Sequence, residues 1–204
     1  DRNAELDAFA DSVAHDLRNP LGTMIGFAEI LIQDFDDLKD EEMKTALERV
    51  SRMGHKMNNI IDALSMFARV RRAAVEPVPV DMGPIVEEVV GSRLHNLIEE
   101  ANARVIAPSQ WPRALGYAPW IEEVWANYIS NAIRYGGDPP WVELGAAEAS
   151  DGCIRYWVRD NGQGIAPELQ NHLFQPFAQV GERRARSQGH GLGLSIVKRI
   201  IERL

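Results

Sequence analysis

Apolar residues recur at close to a seven-residue spacing through the first third of the chain, and that rhythm then stops. Leu6, Ala10, Val13, Leu17, Met24, Ala28, Leu31 and Phe35 form one stripe, which predicts a long helix with a single apolar seam. Asp36, Asp37 and Asp40 mark a turn. Met43, Val50, Met57 and Leu64 then repeat in register, backed by Leu47, Gly54, Ile61 and Ala68, and predict a second long helix. Such a hairpin cannot bury its seam alone, and pairing two hairpins into a four-helix bundle solves the problem. Residues 1–72 are therefore read as a dimerising helical hairpin.

The pattern changes at residues 71–80, where Pro77 and Pro79 remove backbone donors and favour an extended connection. Residues 73–80 are assigned to the linker and 81–204 to a second domain. Asp81 is suited to cap a helix running to about Ala101, with Pro84 tolerated in its first turn. A short strand is expected at Arg104–Ala107, followed by a helix that opens at Pro119 and ends at Gly136 and Gly137. Strand-like runs occupy Trp141–Ala147 and Cys153–Arg159, joined by a turn at Asp151 and Gly152. Glycine-punctuated loops around two short helices complete the chain. This order predicts an α+β unit, a sandwich of helices on one face of a mixed sheet.

Composition narrows the functions. Hydrophobic residues make up 45% of the 204 and charged residues 25%, ordinary for a chain that buries cores. The net charge of -8 provides no electrostatic footprint for nucleic acid, and the basic cluster Arg183, Arg184 and Arg186 is short. Protein and nucleotide partners are expected instead. Cys153 is the single cysteine, so no internal disulfide can form, and its place in an apolar run suggests core packing. No run reaches the length of a membrane span, which predicts a cytoplasmic protein or the cytoplasmic part of a larger membrane sensor, attached only through segments absent from this chain.

Chemistry enters with His15. It lies two residues from both Val13 and Leu17, and two helical steps turn through about 200°, so it points away from the seam. Asp16 can hold its imidazole tautomer or accept its proton, and Asn19 sits one turn further along the same face. Pro20 deletes an amide that would bond to the Asp16 carbonyl, so a bend is expected there. The run His15-Asp16-Leu17-Arg18-Asn19-Pro20-Leu21 resembles the phospho-acceptor box of sensor histidine kinases. His55, His95, His172 and His190 share no metal-ligand spacing and are read as structural.

In the helix after Pro119, Glu123, Asn127, Asn131 and Arg134 make one polar stripe opposite Ile121, Trp125, Ile129 and Ala132. Asparagine oxygens suit Mg²⁺, while amide nitrogens and an arginine suit phosphate oxygens. Asp160-Asn161-Gly162-Gln163-Gly164 follows an apolar strand, where a carboxylate can accept the exocyclic amine of adenine. Gly189-His190-Gly191-Leu192-Gly193-Leu194 opens the final helix, whose free amides suit a phosphate chain. Neither the Rossmann nor the P-loop pattern fits these glycines.

Together with Phe174-Gln175-Pro176-Phe177, these segments are similar in order and spacing to the ATP-site boxes of the histidine kinase branch of the GHKL ATPases. The resemblance covers about residues 9–203. It implies ATP under a lid between Phe177 and Gly189, with Mg²⁺ at Asn127, phosphates at Asn131 and Arg134, and adenine at Asp160 beside Tyr135. Gly162, Gly164, Ile165, Gly191, Leu192, Gly193 and Leu194 would line the nucleotide, and Phe174 and Phe177 would anchor the lid. It also implies autophosphorylation of His15 with Asp16 as base, a homodimer through residues 1–72, transfer to an aspartate of a response-regulator receiver domain, and a phosphatase role for Asn19.

Three departures stand out. Arg134 occupies a position where lysine is commoner, Tyr117 and Trp120 replace an aspartate and an arginine, and the chain ends where the family usually adds a strand hairpin. Two other readings use the same residues. One is a GHKL ATPase driving a conformational cycle, with Glu123 as general base. The other is a degenerate nucleotide-binding dimeric scaffold.

Overall fold

A computed structural model describes residues 17–31, 40–72, 75–149, 152–176, 178 and 191–204, without the side chains of 67, 68, 71 and 72. His15, Asp16, Phe177, Gly189, the Asp36–Asp37 turn and the start of the first stripe lie outside those residues, as does the Ala68 side chain.

Two helices form the hairpin: α1, residues 17–31, and α2, Asp40–Arg72. Three acidic residues, Asp40, Glu41 and Glu42, open α2, where they complement the helix dipole. Arg49 lies 5.1 Å from the Phe27 ring centroid and ties the two helices together. The stripe Met43, Val50, Met57 and Leu64 is half-buried as its period predicts. Its backing row is shifted by one position from the sequence expectation. Ala46 and Ile60 are buried, whereas Leu47 and Ile61 are exposed. The reason is heptad geometry: positions three residues beyond Met43 and Met57 face the same groove, while those four beyond turn outward.

The remaining elements build an α/β unit. Val78–Val80 forms β1, a strand within the segment expected to be linker, pairing antiparallel with β3, Ala114–Gly116, in the register Pro79 to Leu115. Pro79 is accommodated because this sheet has only two strands. Asp81 caps α3, Met82–Glu88, by accepting from Gly83 N at 3.1 Å. The single helix expected to Ala101 is instead α3, a π-helical segment at Val89–Arg93, and α4, His95–Glu100, separated at Leu94. In the second sheet β2, Arg104–Ile106, runs parallel to β4, Trp141–Glu148, which pairs antiparallel with β5, Ile154–Asp160. The mixed sheet agrees with the sequence pattern.

Between β3 and β4 runs α5, Ala118–Tyr135, and the chain closes with α6, Pro167–Gln170, and α7, Gly193–Ile201. The apolar side of α5 lies on the sheet: Ile129, Ile133 and Trp125 join Val142 and Leu144 in a core shared with Val86 and Val89. Fully burying an aliphatic side chain of this size contributes about 1.5–3 kcal/mol, so this layer fixes the opposite, polar side of α5. A second cluster joins the hairpin to the α/β unit. Val70 near the end of α2 packs with Trp120, Leu192, Ile196 and Ile200. Cys153 is exposed rather than in the core, because β5 begins only at Ile154. No helix among the described residues is long and apolar enough to cross a membrane.

Candidate nucleotide site

The polar stripe of α5 is presented by its buried opposite side. Ile121, Trp125, Ile129 and Ala132 are buried, while Glu123, Asn127 and Asn131 are half-buried and Arg134 is exposed. Within the stripe, Asn127 donates Nδ2 to the Glu123 carbonyl at 2.8 Å. Its Oδ1 therefore turns toward the start of α7, where a Cβ added to Gly193 would collide with it. Only glycine lets the α7 backbone come this close. An oxygen donor is thus set beside the first turn of α7, whose N-cap, Leu192, makes no side-chain capping bond. The first amides of a helix have no acceptor within the helix itself, which suits them to a ligand's oxygens. Leu192 itself is 1% exposed and packs into the cluster with Val70 and Trp120, so the Leu192 side chain anchors this turn.

At the other end of the stripe, α5 stops at Tyr135 against the loop after β5. Asp160 accepts from Gly162 N at 2.7 Å through Oδ1, closing a tight turn with one of its two carboxylate oxygens. A Cβ on Gly162 would lie 2.6 Å from the Tyr135 carbonyl, so the loop and the helix end touch backbone to backbone. Gly164 and Gly191 take left-handed φ of 74° and 68°. Tyr135 and Ile165 are exposed, at 41% and 46%, and Leu194 is half-buried. Phe174 is exposed at 39%.

The structure thus gathers Asn127, Gly193, Leu192 and Gly191 near the middle of α5 and Tyr135, Asp160 and Gly162 at its C-terminal end, with Asn131 and Arg134 between. Asn19 belongs to α1, on an exposed face, where its carbonyl accepts from Thr23 Oγ1 at 3.0 Å. An open groove of about 540 Å³ lies along Arg155, Trp157 and Arg159 beside Asp160. It shares Asp160, Gly162 and Gly164 with the site but none of the α5 stripe.

Two residues at the site carry no sequence signal for their roles. Arg93 reaches across thirty positions to Glu123 at 2.8 Å and to Glu122 at 3.5 Å. The hydrogen bond to Glu123 leads the effects that raise the Arg93 pKa above its ordinary value, against the opposing effect of burial. Asn161 lies inside a recognised motif, yet its bonds run to a loop more than twenty positions earlier.

Comparison with known proteins agrees with both halves. Residues 5–73 match the His Kinase A (phospho-acceptor) domain, and residues 116–204 match the histidine kinase-, DNA gyrase B- and HSP90-like ATPase family. The chain belongs to the sensor histidine kinases, as their catalytic core. It is 32% identical over 203 residues to the methanogenesis regulatory histidine kinase FilI of Methanothrix harundinacea, covering 98% of this chain and 22% of FilI. Across the first four such curated relatives the chain spans 22–27% of their length. Full-length ShkA in complex with AMPPNP superposes with a TM-score of 0.62 at 25% identity, over 95% of this chain and 40% of that one. Histidine kinase ThkA in complex with the response regulator TrrA shares the fold, with a TM-score of 0.70 at 19% identity, over 90% and 54%.

Proposed function

We propose that this kinase core uses MgATP to phosphorylate His15 and passes the phosphoryl group to an aspartate of a response-regulator receiver domain. The observation that carries the reading is the placement of Asn127 Oδ1 against the glycine start of α7, a hard oxygen donor next to the first turn of a helix. Those residues fit a divalent cation with a triphosphate. Such a cation, held at Asn127, offsets charge on the phosphoryl oxygens. Asn131 and Arg134 hold phosphate oxygens, and Asp160 accepts the adenine amine beside Tyr135. Gly162, Gly164, Ile165, Gly191, Gly193 and Leu194 line the nucleotide, and Phe177 and Gly189 are further candidates for binding it.

In the transfer, a His15 imidazole nitrogen forms a bond to the γ-phosphorus as the bond to the β,γ-bridging oxygen breaks. ADP leaves, and the imidazole proton passes to Asp16. Asn19, four residues beyond His15 in the sequence, orients water for the dephosphorylation of the regulator. The complex of ThkA with TrrA supports a receiver domain as partner. Exposed Leu21, Ile25, Ile30, Leu47 and Ile61 support a homodimer through residues 1–72, since a second hairpin would cover them. We assign residues 73–77 to the linker and residues 78–204 to the catalytic domain, because β1 pairs with β3 and Val80 joins the α/β core, and we place the core in the cytoplasm. The ion pair with Arg93 speaks against Glu123 as a general base for water, and so against the conformational ATPase reading.

Incubation with γ-labelled ATP tests the proposal. Label stable in base, labile in acid and lost on chelation of divalent cations is the expected result. Acid-stable label, or free phosphate without labelled protein, would contradict it.

A further inference from the structure

The loop after β5 and the end of α5 are tied together by one side chain that the proposed mechanism does not use. Asn161 Oδ1 accepts from Gly137 N and from Trp141 N, both at 2.9 Å, and its Nδ2 donates to the Pro139 carbonyl at 3.1 Å. These partners span the connection from α5 to β4. The fit is close, since a Cβ on Gly137 would lie 2.5 Å from Asn161 Nδ2. The same connection continues the helix that carries Asn127, Asn131 and Arg134, while Asp160 immediately precedes Asn161.

We propose that Asn161 is a positioning residue for nucleotide recognition, which fixes the span between the phosphate-facing stripe of α5 and the Asp160 carboxylate. It thereby sets the preference for a purine bearing an exocyclic amine. This rests on the reading of Asp160 as the amine acceptor. The physical reason is that Asp160 ends β5 opposite Val142, and its carboxylate is braced by the turn to Gly162 N. Past the strand, the side-chain bonds of Asn161 tie that turn to the connection after α5. A hydrogen bond weakens steeply with misalignment, so loosening the Asn161 clamp spoils the contact with the base before it disturbs the phosphates.

The test titrates ATP and purine riboside triphosphate, which lacks the amine, into the whole chain and three variants. Asn161→Leu is expected to weaken ATP about tenfold and the amine-free analogue by less than about threefold, as loss of one base contact would. Asn161→Asp keeps both acceptor bonds and is expected to restore the preference for ATP. Equal weakening of both ligands by Asn161→Leu, or a lower melting temperature with both affinities intact, would overturn the proposal. Asp160→Ala separates it from the reading beneath. If that variant loses the preference and Asn161→Leu does not, the positioning role falls alone. If Asp160→Ala keeps the preference, the amine assignment falls and the proposal with it. Should Asn161→Leu not fold, amide exchange in the unmutated chain decides. ATP should slow exchange at Gly137 and Trp141 by more than the analogue does, and equal slowing would overturn the clamp.

Discussion

In the α/β unit Val89, Ile129 and Val142 are 0% exposed, whereas in the hairpin Leu47 and Ile61 remain 54% and 45% exposed although they belong to an apolar row. One half closes its core with its own residues. Among the described residues, the other keeps an apolar face uncovered. An interior that packs on itself suits a nucleotide site, and an uncovered apolar face suits pairing with a second hairpin. Val70 and Trp120 join the two halves through one small apolar cluster, so a change in one half need not destroy the other.

The largest expected effect is on the exposed row. Ile61→Glu removes an apolar side chain and inserts a charge twice per dimer. Its cost is about 3–6 kcal/mol, from about 1.5–3 kcal/mol per buried side chain counted in both copies. Sedimentation should then show a dimer weakened by about 10²–10⁴-fold, with ATP affinity unchanged. A dimer as tight as the parent would place the contact face elsewhere. A smaller effect is expected in the other half. Asn127→Ala removes an oxygen donor without emptying the core, and should weaken MgATP about tenfold, near 1.4 kcal/mol, while leaving the dimer intact. Calorimetry with and without Mg²⁺ sharpens this, since the loss should shrink when the cation is omitted.

The comparison also shows which features the sequence makes legible. Periodicity revealed both hairpin helices, because burial on one face writes itself into the chain, and the strand-like runs on either side of the Gly152 turn revealed β4 and β5. The choice between Leu47 and Ala46 as backing residue was not legible, since both are apolar and one helical step apart. Strand β3 was missed because Ala114–Gly116 lacks the β-branched residues that marked β2, Val105 and Ile106, and β1 because its prolines suggested a linker. The π-helical segment at Val89–Arg93 leaves no mark in composition. At the site, glycine and asparagine spacing pointed to Asn127, Asp160 and Gly193 because close backbone approach demands particular residues. Arg93 was invisible, as a surface arginine gains its meaning only from Glu123 thirty positions away. The tryptophan at position 120, a departure from the family pattern, is accounted for by its burial against Val70 and Leu192.

If one half carries the phosphoryl group and the other holds the nucleotide, His15→Ala separates the two. Compared with the parent chain for labelling by γ-labelled ATP and for ATP affinity in the same preparation, it should lose all label and keep its affinity within about twofold, well under the 1.4 kcal/mol that a tenfold change represents. Label persisting on another residue, or affinity lost together with the label, would refute this division.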